Sequence, residues 1–98
     1  MTDKINPESM QVAFDKNYRT FLAKNADYGN SFEKSLDDLG IVAGVVRIGD
    51  KYNRVCNLIK NKQNVSESIS DTLNDMANYC TMLSIWLEKT ENANDTRS

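Results

Sequence analysis

A chain of 98 residues with net charge −2, 40% apolar and 27% charged content reads as one small globular domain, short enough that partner subunits would help to cover its apolar surface. The charge balance leaves no basic surface to hold a nucleic acid backbone, and the complete lack of histidine removes His-based triads, His general bases and most zinc sites. No apolar run reaches the roughly 18 residues of a membrane span and "MTDKINPES" has no signal-peptide core, so the expectation is no membrane partner and a cytoplasmic address.

Every predicted element is helical, which makes the fold class all-α. Asn6 is suited to an N-cap, Pro7 to the first helical position and Glu8 to the first turn, and Met10, Phe14, Tyr18 and Phe21 then recur every three or four residues, predicting a helix over about 7 to 24. The segment "KNADYGNSF" breaks the pattern around Gly29. A short helix follows over about Ser31 to Leu39, with Phe32, Leu36 and Leu39 on one side and Gly40 as terminator. From Ile41 to about Asn61 a third helix carries the stripe Ile41, Val45, Ile48, Tyr52, Val55 and Ile59, interrupted by Gly44 and Gly49, where close backbone approach is expected. "NKQNVSE" is a turn with Asn64 and Glu67 in capping-box register, opening a last helix over about 65 to 89. The chain thus divides into one domain over 1–89 and a polar tail over 90–98 expected to be disordered. Cys56 and Cys80 sit in apolar helical stretches without a CxxC pair and read as core thiols.

The last helix carries the sequence's main oddity. In "SISDTLNDMANYC" Asp71, Asn74, Asp75 and Asn78 share a face, although Asp and Asn are poor helix formers and two carboxylates one turn apart repel. A plain wet face opposite Ile69, Leu73, Met76 and Cys80 would produce the same pattern, but farther along it turns apolar at Met82, Ile85 and Trp86. The third helix offers a matching stripe in Asp50, Asn53, Arg54 and Asn57. If the two helices pack antiparallel about a short turn, facing positions sum to about 126, which sets Asp50 near Asp75 and Arg54 near Asp71. Three converging carboxylates need a positive partner: a bound cation, or Arg54 and Lys51. Oxygen-only ligation by Asp50, Asp71 and Asp75 suits Mg²⁺ or Mn²⁺.

The blocks "KNADYGNSF", "RIGDKYNRVCNL" and "ESISDTLNDMANYCTML", in this order over residues 24 to 83, resemble the family called nucleotide modification associated domain 1, found in phages and bacteria. That family is similar in helical layout to the all-α nucleoside triphosphate pyrophosphatases of the MazG and dimeric dUTPase type, which cleave an NTP with Mg²⁺ held by ExxE and ExxD on successive helices. The resemblance implies a MazG-like bundle, a cytoplasmic nucleotide pyrophosphohydrolase (in the host cytoplasm if phage-encoded), and a homo-oligomer whose sites are shared between subunits. Its metal and catalytic positions correspond to Asp50 and Asn53, then Asp71 and Asp75, with one glutamate replaced by an amide and the others by shorter aspartates. In such a site Lys51 and Arg54 would hold phosphate oxygens, Asn53 and Asn78 would bond to waters, sugar or base, and Tyr28, Phe32 and Asn30 in the break would close over a base. Two further readings stand beside it: a nucleotide-sequestering accessory protein that has lost turnover, favoured by Asn53, and a structural helical assembly module.

Overall fold

The computed structural model describes the backbone of residues 3–28, 30–61 and 65–95, and the side chains of residues 3–26, 30–61 and 69–91. Four helices follow one another: α1 (Pro7–Tyr28), α2 (Ser31–Leu39), α3 (Ile41–Asn61) and α4 (Val65–Asp95). Among the described residues there is no strand. The expected bounds of α2 and α3 agree with those observed. Helix α1 runs one turn farther than expected, and α4 continues past residue 89 to Asp95, where Thr90 donates to the carbonyl of Trp86 at 2.8 Å. The opening of α1 follows its sequence signal. Asn6 Oδ1 accepts from the backbone N–H of Ser9 at 2.8 Å, while Ser9 Oγ accepts from the backbone N–H of Asn6 at 3.0 Å, so two otherwise unpaired donors satisfy each other's residues. The proposed cap at Asn64 and Glu67 lies outside the described residues.

Gly40 holds φ at +80°, the left-handed region that a side chain disfavours, and its N–H donates to the carbonyl of Leu36 at 2.7 Å. That single residue ends α2 and lets α3 begin at once. Helices α3 and α4 make the densest packing and run antiparallel: Arg54 meets Thr72, Lys51 meets Asp75, Arg47 lies over Tyr79, and Gly44 faces Leu83. Each pairing keeps the register expected from the short turn. A Cβ at Gly44 would stand 2.8 and 2.9 Å from the two terminal methyls of Leu83 and 3.2 Å from a methyl of Leu36. The close approach expected at both glycines therefore occurs at Gly44 alone, since nothing lies within 4 Å of a Cβ at Gly49.

Covered apolar surface is scarce. Leu36 and Leu83 are the described hydrophobic side chains that are buried, joined by the polar Thr72. The stripe expected to be the core face of α3 points largely outward: Ile41, Val45, Tyr52 and Ile59 are exposed, whereas Gly44, Ile48, Lys51, Val55 and Leu58 turn inward. Met10, Phe14 and Tyr18 of α1 are exposed too, Tyr18 at 61%, and Leu39, the last residue of α2, at 71%. Cys80 is exposed and Cys56 half-buried, and both are free thiols, so Cys80 is not the core residue expected. The elongation of the chain accounts for this exposure. Its radius of gyration is 16.0 Å, against about 13 Å for a compact domain of this length. No helix among the described residues is long and apolar enough to cross a membrane.

Candidate functional site: an aromatic and cationic groove

Helix α1 lies against α4 through two polar ties. Asn78 Nδ2 donates to the backbone carbonyl of Asn17 at 3.0 Å, and Lys24 Nζ donates to Asp75 Oδ1 at 2.8 Å. The second is also an ion pair, to which Lys51 of α3 adds its ammonium 3.6 Å from the other oxygen, Oδ2. Asp75 is thus gripped from both sides by cations on different helices, with 24% of its side chain exposed. On the far side, α2 is fixed to α4 by Trp86, whose indole N–H donates to Asp37 Oδ1 at 2.9 Å, and by Phe32, which meets Tyr79 edge-on at a centroid distance of 4.9 Å.

Between these ties α1, α2 and α4 leave a groove of about 520 Å³, within the range of sites for small organic ligands. Phe21, Phe32, Tyr79, Met82, Ile85 and Trp86 give it apolar and aromatic walls, while Asn25, Asn30 and Asn78 supply amides. Lys24, Arg47 and Lys89 line it against the carboxylates of Glu33 and Asp75. Arg47 and Lys51 sit over the Tyr79 ring at 5.7 and 5.9 Å from its centroid, where the negative face of the ring attracts them. The α4 stripe that is polar at Asp75 and Asn78 and apolar at Met82, Ile85 and Trp86 is one wall of this groove, which explains its change of character along the helix.

The sequence-predicted residues divide into two groups. Asp75, Asn78 and Asn30 line the groove, and Lys51 stands behind Asp75. Asp50, Asn53, Arg54 and Asp71 do not line it; Asp50, Asn53 and Asp71 are exposed, and Arg54 Nε donates to Thr72 Oγ1 at 3.3 Å. The side chain of Tyr28 lies outside the described residues. The expected meeting of Asp50, Asp71 and Asp75 is not found: among the described residues no three His, Cys, Asp or Glu side chains gather into a set able to hold a metal ion. The cause is phase rather than register. Successive residues are turned by about 100° on a helix, so Lys51 faces Asp75 and Asp50 turns to solvent. Asp75 is engaged by the ammonium groups of Lys24 and Lys51, and a carboxylate so engaged does not fit Mg²⁺ or Mn²⁺ ligation within one chain. Sequence reasoning missed Lys24, Arg47, Lys89, Tyr79 and Trp86 as groove residues, although Lys24 opens the first of the quoted blocks and Trp86 continues the unusual α4 stripe.

The groove thus combines aromatic faces, amides and cations on a small all-helical domain. The chain belongs to the nucleotide modification associated domain 1 family, whose sequence pattern it matches over residues 24–87, from the groove lysine to the end of the Trp86 turn. No curated protein and no solved structure matches it.

Proposed function

We propose that this domain binds a nucleotide in the groove between α1, α2 and α4, as part of nucleotide metabolism in the cytoplasm. The observation that carries the proposal is the lining itself: flat aromatic faces suited to a base, amides suited to its edges or to the sugar, and ammonium and guanidinium groups suited to phosphate. The family's association with nucleotide modification supports the same ligand class. Trp86 is the chain's sole tryptophan and stands in the groove, so its fluorescence reports directly on occupancy. Titration with a panel of ribo- and deoxyribonucleotides, with calorimetry in parallel, is expected to quench it saturably for at least one of them. A panel that leaves both the fluorescence and the heat unchanged counts against the reading.

Hydrolysis of a nucleoside triphosphate, the activity implied by the pyrophosphatase resemblance, finds less support. Its carboxylate set is not assembled within one chain, so sequestration of the nucleotide without turnover is the better reading. Product analysis of each nucleotide that binds separates the two.

A second copy of the chain belongs to the same proposal. Two uncovered apolar faces, Phe14 and Tyr18 on α1 and Val45, Tyr52 and Ile59 on α3, with so few of the described apolar side chains buried, favour self-association. Sedimentation at tens of micromolar is expected to give a multiple of the 11.1 kDa chain mass. A monomer at that concentration would refute this part of the proposal and leave the groove untouched.

A further inference from the structure

Asp75 raises a question that nucleotide binding alone does not answer: why a groove meant for an anionic ligand keeps a carboxylate at its most cationic point. Lys24 reaches it from α1 at 2.8 Å and Lys51 from α3 at 3.6 Å, each addressing a different oxygen. Arg47 and Lys51 are held nearby over Tyr79. Two lysines from distant places in the sequence therefore converge on one carboxylate that is itself part of the groove wall. Without a counter-ion, Lys24 and Lys51 would repel each other across the α1, α3 and α4 junction. With one, they are held in place and partly dehydrated before a ligand arrives.

Resting on the nucleotide reading, we infer that Asp75 is an internal stand-in for the ligand's phosphate: with Lys51 behind it, it holds Lys24 at the groove wall, and a nucleotide phosphate takes over Lys24 directly, with no divalent ion as a bridge. A phosphate oxygen can accept from the Lys24 ammonium that Asp75 engages, and a phosphate brings more negative charge to it than one carboxylate does. A divalent cation at Asp75 would face the Lys24 and Lys51 ammonium groups at close range. The carboxylate it would use, Asp75, is already engaged by both, so the local charge opposes it. Asp75 accordingly acts against affinity while keeping the empty groove ordered.

The role of Asp75 has a sign that a metal-ligand role does not share. Calorimetric titration of the full chain with AMP, GMP, CMP, UMP and dTMP is carried out in Mg²⁺ and again in EDTA, with the matching nucleosides and inorganic phosphate as partial ligands. The expected result is equal affinity in the two buffers and weaker binding of the nucleosides. Asp75→Asn is expected to tighten nucleotide binding about threefold to tenfold, the scale of one like charge removed from a wet groove. Lys24→Gln is expected to weaken it about tenfold. Asp15→Asn, the same charge change on the exposed face of α1, is expected to leave affinity within about twofold. Circular dichroism confirms that each variant keeps its helices. Nucleotide binding that requires Mg²⁺, or that is lost in a helical Asp75→Asn protein, overturns the stand-in role while leaving nucleotide binding intact. Because the wild-type comparison of the two buffers needs no variant, a requirement for Mg²⁺ overturns the inference even if Asp75→Asn does not fold, and Lys24→Gln binding as tightly as wild type overturns it as well. A wild-type chain that binds none of the panel in either buffer overturns the nucleotide reading as well.

Discussion

Replacing Gly44 by valine is expected to lower the melting temperature by about 10 to 20 °C, whereas Gly49→Ala, five residues farther along the same helix, is expected to raise it by about 3 to 6 °C. Both changes remove backbone freedom from the unfolded chain, and both glycines cost helix stability relative to alanine, by about 0.5 to 1 kcal/mol. They differ in what a side chain meets. At Gly49 there is open space, so the entropic gain stands alone. At Gly44 even the first carbon would come within 3 Å of both Leu83 methyls and press on Leu36, the two buried apolar side chains described. Valine adds two more carbons and forces α3 away from α4, an overpacking cost of about 2 to 3 kcal/mol or more. In a domain whose total stability is of order 5 to 10 kcal/mol that is a large share. Melts at one fixed protein concentration remove any contribution from self-association. A Gly44→Val protein melting within two or so degrees of wild type would mean that α3 and α4 do not touch at this point.

The same two glycines illustrate what periodicity conveys. Helix bounds were legible because Asn6, Pro7 and Gly40 act locally, through side-chain capping, a fixed φ and a left-handed turn. The antiparallel register of α3 and α4 was legible because a short connection leaves little choice of pairing. The face that α3 turns inward was not. Of its apolar stripe Ile41, Val45, Tyr52 and Ile59 lie outside while Ile48 and Val55 turn inward, where the face also holds Gly44 and Lys51, residues that weaken a hydrophobic signal for reasons specific to the contact. Glycine is there because Leu83 is close, and lysine because Asp75 is. Such reasons lie on the partner helix, and a count of apolar positions on α3 has no access to them. An error of one residue in phase then exchanged Lys51 for Asp50 opposite Asp75, which turns an ion pair into a supposed metal ligand set. The groove shows the same division. The change from amide and carboxylate to methionine and tryptophan along α4 was visible as a pattern. That Lys24 completes it from 51 positions away depends on how α1 docks, which no local spacing encodes.

Trp86→Leu is expected to reduce nucleotide affinity about tenfold to a hundredfold while leaving the helical circular dichroism unchanged, a loss on the scale of one base-to-ring stack, about 1 to 3 kcal/mol. Among the groove's rings, Trp86 is the one anchored at its polar edge. Its N–H is held by Asp37 at 2.9 Å, so the indole plane is set by a bond between α4 and α2 before any ligand binds. A ring already fixed loses little entropy on stacking, which makes it a better platform than one free to turn. Leucine keeps much of the apolar bulk against Ile85 and Met82 but offers no flat face, so the substitution separates stacking from simple burial. Phenylalanine at the same position restores a face without the N–H and is expected to recover part of the affinity. Asp37→Ala removes the anchor and leaves the ring, and its loss is expected to be smaller than that of Trp86→Leu. The order of the three variants is the critical outcome. Stacking on a pre-set ring requires leucine to bind weakest, with phenylalanine and the unanchored tryptophan between it and wild type. Equal affinity across the series, measured by calorimetry because the fluorophore is gone in two of the three, would place the base elsewhere than against Trp86.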